Sequence, residues 1–231
     1  MKRPTNTKQH RTISTDFKPI SSLFQILLGL LIYSFGVYLT IYSNIGLAPW
    51  DCLGMGIAKH TPLGYGSSMV LIGVCAIVIQ LILQERIGFA TLFDALITGR
   101  LTQFFIDISP YPENHSRWLG IIFMLFGFLF IALGMYVYMK AEMGCGPKDG
   151  LLIAIGRKMP KIPIGIIEIL LWTTVTACGY LLGGTVGIGT VISTLGAGAV
   201  MHLFYTVIHF EPRKLRHKSV IETVQTLNRS D

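Results

Sequence analysis

GLAPWD at residues 46–51 and GCGPKD at residues 144–149 are two copies of one pattern, with Gly, Pro and Asp at the same three places. Each copy ends a long apolar run and opens a segment of about a dozen residues, whereas a membrane-spanning helix needs about 20 residues. The two segments are therefore predicted to be short helices that enter the membrane without crossing it. The repetition also predicts that the chain consists of two related halves.

The repeat extends along nearly the whole apolar part of the chain. Matches occur at an offset of 98 residues up to the short helices and at 99 after them, as in Gly36 with Gly134 and Gly66 with Gly165. Matched glycines, prolines and aspartates are informative because each of these residue types has a distinct backbone or charge role. We predict membrane repeats at residues 23–110 and 118–210, joined by a linker at 111–117.

Composition places the chain in a membrane. Its 231 residues are 52% hydrophobic and only 13% charged, whereas soluble proteins contain about 25% charged residues. The net charge of +7 is concentrated in tails and loops, which indicates contact with anionic lipid rather than with nucleic acid. We predict basic cytoplasmic tails at residues 1–22 and 211–231, the first of them disordered.

The apolar runs predict an all-α polytopic membrane protein with two inverted repeats of three transmembrane helices, each with a short, partly inserted helix. The spans are expected at about residues 23–43, 66–84, 88–108, 118–139, 164–182 and 188–210. This arrangement places 16 Lys and Arg residues in the cytoplasm and 2 outside, in line with the positive-inside rule. An alternative with eight crossings places 15 inside and 3 outside, so only helix length favours six spans.

The first motif, followed by Leu53, Gly56 and the turn at residues 64–66, resembles the YczE/YyaS/YitT family of bacterial integral membrane proteins. The resemblance covers about residues 23–210 and is weaker in the second half, where Lys148 replaces the tryptophan of the motif. It implies a multi-span helical fold in the bacterial plasma membrane. It implies no reaction and no established substrate, so the functional expectations rest on the residues themselves.

Inverted repeats with interrupted segments at matching places point to the binding site of a transporter. A helix that begins inside the membrane presents free N–H groups and a positive dipole end to a ligand. The glycines would permit a sharp turn and a close ligand approach, and each aspartate could bind a cation, carry a proton, or neutralise its own helix start. The ligand role and the structural role both stay open. The candidate binding residues of this pair are Gly46, Pro49, Asp51, Gly144, Gly146, Pro147 and Asp149.

A second polar group lies in the third predicted span. Arg100 is near the middle of this span, where an unpaired charge costs at least ~2.5 kcal/mol. Gln103 and Asp107 share its helix face, and Gln103 is the repeat partner of His202. Arg100, Gln103 and His202 are predicted to line a polar cavity or a proton path. The alternative is an Arg–Asp pair that joins two helices.

The sequence carries no catalytic, nucleotide-binding or metal-binding signature, so neither an enzyme nor a cofactor nor a metal site is expected. The expected partners are the lipid bilayer, an unidentified small solute or ion, and either a second copy of the chain or a membrane partner protein. Nucleic acid is not expected. The predicted function is a small-solute transporter or permease with a site between the repeats. The alternative is a non-transporting membrane protein that assists assembly, export or signalling.

Overall fold

The structure is a computed structural model that describes residues 19–109 and 116–210. The predicted tails, up to residue 18 and from residue 211, and linker residues 110–115 lie outside these ranges. The described residues form eight α-helices. In chain order they are α1 (Pro19–Tyr42), α2 (Pro49–His60), α3 (Tyr65–Ile82), α4 (Phe89–Ile108), α5 (Arg117–Met139), α6 (Pro147–Lys158), α7 (Ile164–Leu181) and α8 (Ile188–Val207).

The prediction of an all-helical membrane protein is confirmed. Five of the described helices, α1, α3, α5, α7 and α8, are long and apolar enough to cross a membrane. Helix α4 has 20 residues, like its repeat counterpart α8, but carries Asp94, Arg100 and Asp107, so its crossing stays a prediction. The short helices α2 and α6 have 12 residues each, which corresponds to a length of about 18 Å.

Helices α1 and α5 form an antiparallel pair at the centre of the molecule, and glycines at every seventh residue form their interface. A Cβ atom on Gly36 would lie 2.7 Å from the carbonyl oxygen of Gly127, and one on Gly127 would lie 2.8 Å from that of Gly36. Gly29 and Gly134 show the same reciprocal contact, at 2.9 and 2.7 Å. The two backbones therefore touch along the interface, where no larger residue fits.

The two halves exchange their short helices. Helix α2 of the first half packs against α7 of the second half, and α6 of the second half packs against α3 of the first. Within each half the last helix packs on the first, since α4 packs on α1 and α8 packs on α5. Each half therefore completes the packing of the other, as two inverted repeats would.

The directions of the helices favour six crossings over the alternative with eight. Helix α2 runs parallel to α7, because Cys52 contacts Gly179 and Gly56 contacts Leu182. Helix α7 forms a hairpin with α8, which lies parallel to α5 and therefore antiparallel to α1. Helix α2 consequently points in the same direction as α1, and residues 43–48 between them fold back. Eight successive crossings would require α1 and α2 to point in opposite directions.

The last two helices of each half pack differently in the two halves. In the first half α3 and α4 touch, since a Cβ atom on Gly66 would lie 2.9 Å from the Gly99 carbonyl oxygen. The equivalent residues of the second half are Gly165 on α7 and Gly198 on α8, and a Cβ atom on either would have no neighbour within 4 Å. We call the space between these two glycines the α7–α8 gap.

Replacing Gly36 with Ala should destabilise the protein by about 1–3 kcal/mol, because the added methyl group would force α1 and α5 apart. The midpoint of thermal unfolding in detergent, followed by circular dichroism, measures this loss. Gly198→Ala is the matched control, since it adds the same methyl group to a helix where nothing lies within 4 Å. Equal stability of the two variants would contradict the tight α1–α5 interface.

Candidate functional site

The two repeated motifs fold into matching loops, and each loop is held by the last helix of the other half. Gly46 and Gly144 have φ angles of +120° and +116°, a region that glycine adopts without steric cost. The N–H of Gly189 donates to the Ile45 carbonyl oxygen over 2.8 Å, and the N–H of Ala90 donates to that of Met143 over 2.9 Å. The start of α8 thus fixes the entry to α2, and the start of α4 fixes the entry to α6.

The motif glycines in these loops are approached by protein rather than by open space. A Cβ atom on Gly46 would lie 2.6 Å from the backbone nitrogen of Gly187, and one on Gly144 would lie 2.8 Å from Cα of Gly88. The sharp turn expected at both glycines is present. The close approach that we expected from a ligand is made instead by the backbone of the opposite half.

The short helices begin at a cavity of about 130 Å³ that lies between the two halves. This volume holds several water molecules, each of which occupies about 30 Å³ in the liquid. Equivalent residues of the two halves line the cavity together, which places it on the axis that relates them. The pairs are Tyr33 with Ile131, Val37 with Met135, Ala48 with Gly146, Trp50 with Lys148, Asp51 with Asp149, and Asp94 with Ser193.

Asp51 is only 5% exposed and accepts a hydrogen bond of 2.9 Å from the Tyr65 hydroxyl. The N-cap residues of the two short helices are Ala48 and Gly146, and neither caps its helix with a side-chain hydrogen bond. A carboxylate in the first turn of each helix still lies near the positive dipole end. Asp51 and Asp149 can therefore stabilise their helix starts and face the cavity at the same time.

Asp149 lies close to a second carboxylate, that of Asp94 on α4. A Cβ atom on Gly146 would lie 2.5 Å from Asp94 Oδ2, 3.3 Å from Asp149 Oδ2 and 3.5 Å from the Tyr138 hydroxyl oxygen. Glycine at this position therefore makes room for three converging side chains. We call Asp94, Asp149 and Tyr138 the Gly146 cluster. Thr98 donates a hydrogen bond to the other oxygen of Asp94.

Burial changes the acidity of the carboxylates on the short helices, whose 12 residues are fewer than a membrane span needs. Desolvation, reinforced by the charge of Asp94 and opposed by Lys148, raises the pKa of Asp149 to about 7. Desolvation also raises the pKa of Asp51, although Lys148 and the hydrogen bond from Tyr65 favour its ionised form. The pKa of one cavity carboxyl group thus lies nearer to neutral pH than that of an ordinary aspartate.

Three of the predicted site residues do not reach the cavity. Arg100 is exposed on α4 and forms no hydrogen bond or ion pair with another described residue. The carboxamide of Gln103 accepts from the Gly66 N–H over 3.2 Å and donates to Asp107 over 2.7 Å, so it joins α4 to α3. His202 is exposed on α8. These three residues do not line the cavity between the halves, and a polar path through them stays a prediction.

The other predicted residues divide between the cavity and its surroundings. Pro49, Asp51, Gly146 and Asp149 line the cavity. Pro147 begins α6 behind it, and its carbonyl oxygen accepts a hydrogen bond of 2.8 Å from the buried Gln80 amide of α3. The expectation that the two motifs meet at one site thus agrees with the geometry, and their ligand role stays a prediction.

The sequence reasoning assigned no site role to several residues that the structure brings to the cavity. Lys148 could have been recognised from its place in the repeat, since it stands opposite Trp50, another cavity residue. Asp94 could have been recognised in the same way, because it is equivalent to Ser193 and both are polar. Tyr138 does not line the cavity but lies beside Gly146, and it carried no such signal, since its repeat partner Thr40 differs from it in size and chemistry.

Comparison with known proteins places the chain in a family. Residues 20–206 match a family described as a family of unknown function, DUF6198. The chain belongs to this family. It is 32% identical over 206 residues to an uncharacterized protein of Haemophilus influenzae, and the match covers 87% of each chain. No solved structure matches the chain.

Two further relatives from Bacillus subtilis confirm the resemblance inferred from the motif. The uncharacterized protein YyaS is 29% identical over 196 residues, which cover 82% of this chain and 96% of YyaS. The uncharacterized membrane protein YczE is 27% identical over 177 residues, which cover 75% of this chain and 80% of YczE. These relatives support a membrane protein and assign it no activity.

Replacing Tyr65 with Phe should destabilise the protein by about 1–3 kcal/mol, because the buried Asp51 carboxylate loses a hydrogen-bond donor while the ring stays in place. Thermal unfolding in detergent at neutral pH measures the change. Tyr180→Phe is the matched control, because that side chain is 64% exposed on α7. Indistinguishable midpoints for the two variants would show that the bond from Tyr65 to Asp51 contributes nothing.

Proposed function

We propose that this protein is a transporter or permease for a small cationic solute in the bacterial plasma membrane, with both termini in the cytoplasm. The observation that carries the proposal is a cavity between the two halves, lined at equivalent positions and reached by the starts of both short helices. A site on the axis between inverted repeats can open alternately to either side as one repeat moves against the other.

The charge of the cavity favours a cation. Asp51, Asp94 and Asp149 face it, and Lys148 is the one basic side chain among its lining residues. Three carboxylates exceed one ammonium group and the partial positive charge of two helix starts, each about half an elementary charge. A lining of fixed negative charge in a low-dielectric interior concentrates cations.

Aromatic rings favour an organic cation over a bare metal ion. Trp50, Trp172 and Tyr33 line the same cavity, and the faces of such rings attract alkylammonium groups. Metal ions prefer clusters of carboxylate, carbonyl and water oxygens. No cluster of three or more His, Cys, Asp or Glu side chains suited to a metal occurs in the described ranges.

The α7–α8 gap is the proposed route between the cavity and the cytoplasm. Ser193, Ala197 and Met201 on α8 line the cavity, and Gly198 follows directly on the same helix. With the amino terminus in the cytoplasm, α7 begins and α8 ends on the cytoplasmic side. The contact between α3 and α4 closes the equivalent route on the opposite side, so the described conformation corresponds to an inward-facing state.

The proposal is tested by thermal unfolding of the detergent-purified protein against primary amines, quaternary amines, their neutral isosteres and organic anions. A cationic amine should raise the midpoint, since a ligand at 100 times its Kd stabilises the native state by about 2.7 kcal/mol. The shift should disappear in Asp51→Asn and Asp149→Asn. It should persist in Asp107→Asn, the matched control, because that carboxylate is exposed on α4.

The identified amine should then be taken up by proteoliposomes that contain the native protein and not by those with Asp51→Asn. A ligand that stabilises Asp51→Asn and Asp149→Asn as much as the native chain would place its site elsewhere. Failure of every cation in the panel, with stabilisation by a neutral or anionic compound, would contradict the cationic substrate. Binding without uptake would favour the non-transporting alternative.

A cysteine at Gly198 should react with a charged thiol reagent applied from the cytoplasmic side, because the α7–α8 gap admits water. The four native cysteines are first replaced by alanine. Leu203→Cys is the control, since that position on α8 is 66% exposed toward lipid, where a thiol does not ionise. Equal rates at both positions, or labelling of Gly198→Cys from outside alone, would contradict the proposed route.

A further inference from the structure

The Gly146 cluster joins carboxylates from the two halves of the protein. Asp94 comes from α4 of the first half and Asp149 from α6 of the second, and both point one oxygen at the space beside Gly146. Gly146 has no side chain that would occupy the space which both oxygens approach. Two carboxylates so placed repel each other when both are ionised, which favours a state in which one of them carries a proton.

We propose that Asp94, Asp149 and the Tyr138 hydroxyl form a binding site for one exchangeable proton. In the loaded state one carboxyl group carries the proton and donates it in a hydrogen bond to the other, so the pair has a charge of −1. Release transfers this proton to water and leaves the pair with a charge of −2. Carboxylate pairs that share one proton in this way are known from aspartic protease active sites.

Tyr138 is the independent observation that indicates a ligand at this place. Its side chain is 1% exposed, and its hydroxyl lies 3.5 Å from the position that a Cβ atom on Gly146 would occupy. The hydroxyl makes no hydrogen bond within residues 19–109 and 116–210. The hydroxyl is placed to donate to the pair once the proton has left.

The groups around Asp149 favour retention of the proton. The acidic side chains that act on Asp149 are Asp94 and Glu168, both from other helices, and the one basic side chain is Lys148 of the same helix. Acidic neighbours therefore outnumber basic ones. The tyrosines are uncharged at neutral pH. The titratable groups that face the site are Tyr33 on α1, Asp51 on α2, Asp94 on α4, Tyr138 on α5, Cys145 and Lys148 beside Asp149, Glu168 on α7 and Tyr205 on α8.

Glu168 lies between the proposed proton site and the α7–α8 gap. It lies one turn after Gly165 and one turn before Trp172, so all three share a helix face, and Trp172 lines the cavity. The Glu168 side chain is partly exposed and close enough to act electrostatically on Asp149. A proton that enters through the gap thus meets one carboxylate before it reaches the pair.

The proton site adds a second ligand to the cavity. If the proposed function holds, a cationic solute at Asp149 competes with the bound proton, so the same carboxylate exchanges one for the other. The proton site itself does not depend on the solute. The proton site is inferred from the geometry of the Asp94–Asp149 pair, and a pH titration without any solute tests it.

Infrared spectroscopy of the purified protein, titrated from acid to alkaline pH without any solute, tests the site. Protonated carboxyl groups have a carbonyl stretch that ionised ones lack. This band should persist until the pH passes about 7 in the native protein and should lose that component in Asp149→Asn. In Asp94→Asn the midpoint should fall by about one pH unit or more, because the remaining carboxylate no longer faces a like charge.

Asp107→Asn is the matched control and should leave the midpoint unchanged, because its carboxylate is exposed and far from the cluster. Tyr138→Phe keeps the ring in the core and removes the hydroxyl, so the midpoint should rise as the ionised pair loses a donor. This variant also covers the case in which Asp94→Asn does not fold. A native protein with no protonated carboxyl at neutral pH would overturn the site, as would midpoints unaffected by Asp94→Asn or by Tyr138→Phe.

The two proposals can fail separately. If the proton titration behaves as expected and no amine binds in the thermal assay, the proposed cationic solute is contradicted and the proton site is supported. If amine binding depends on Asp51 and Asp149 but Asp94→Asn does not change the titration midpoint, the shared proton is contradicted and the solute site is supported.

Discussion

The backbone contact between α1 and α5 is the constraint on which the rest of the molecule depends. Glycines at every seventh residue bring the two helices so close that carbonyl oxygens of one meet the Cα atoms of the other. In a membrane, where burial of apolar side chains gives no advantage over lipid, such close packing supplies much of the attraction between helices. The spacing of this pair sets the separation of the halves and therefore the width of the cavity beside it.

Because each short helix packs against the other half, residues of both halves line the cavity. Helix α2 rests on α7 and its entry loop is held by α8, while α6 rests on α3 and its entry loop is held by α4. The N–H groups of Gly189 and Ala90, which hold the two entry loops, each belong to the opposite half. The positive φ angles of Gly46 and Gly144 are the local condition for this exchange.

Much of this arrangement could be predicted from the sequence, since matched glycines, prolines and aspartates reveal the repeat and the two short helices. The meeting of Asp51 with Asp149 followed from the same symmetry. The exposed positions of Arg100 and His202 could not be predicted, because helix periodicity shows which residues share a face and not which neighbour that face meets. Asp94 and Tyr138 converge only through the exchange between halves, and nothing within one helix indicates such a contact.

The exchanged packing also constrains how the protein is made. Helix α2 has its principal neighbour in α7, which begins about a hundred residues later in the chain, and a ribosome adds about 5–20 residues each second. During that interval α2 lacks this neighbour. The cavity can therefore close around Asp51 only after the second half has been made.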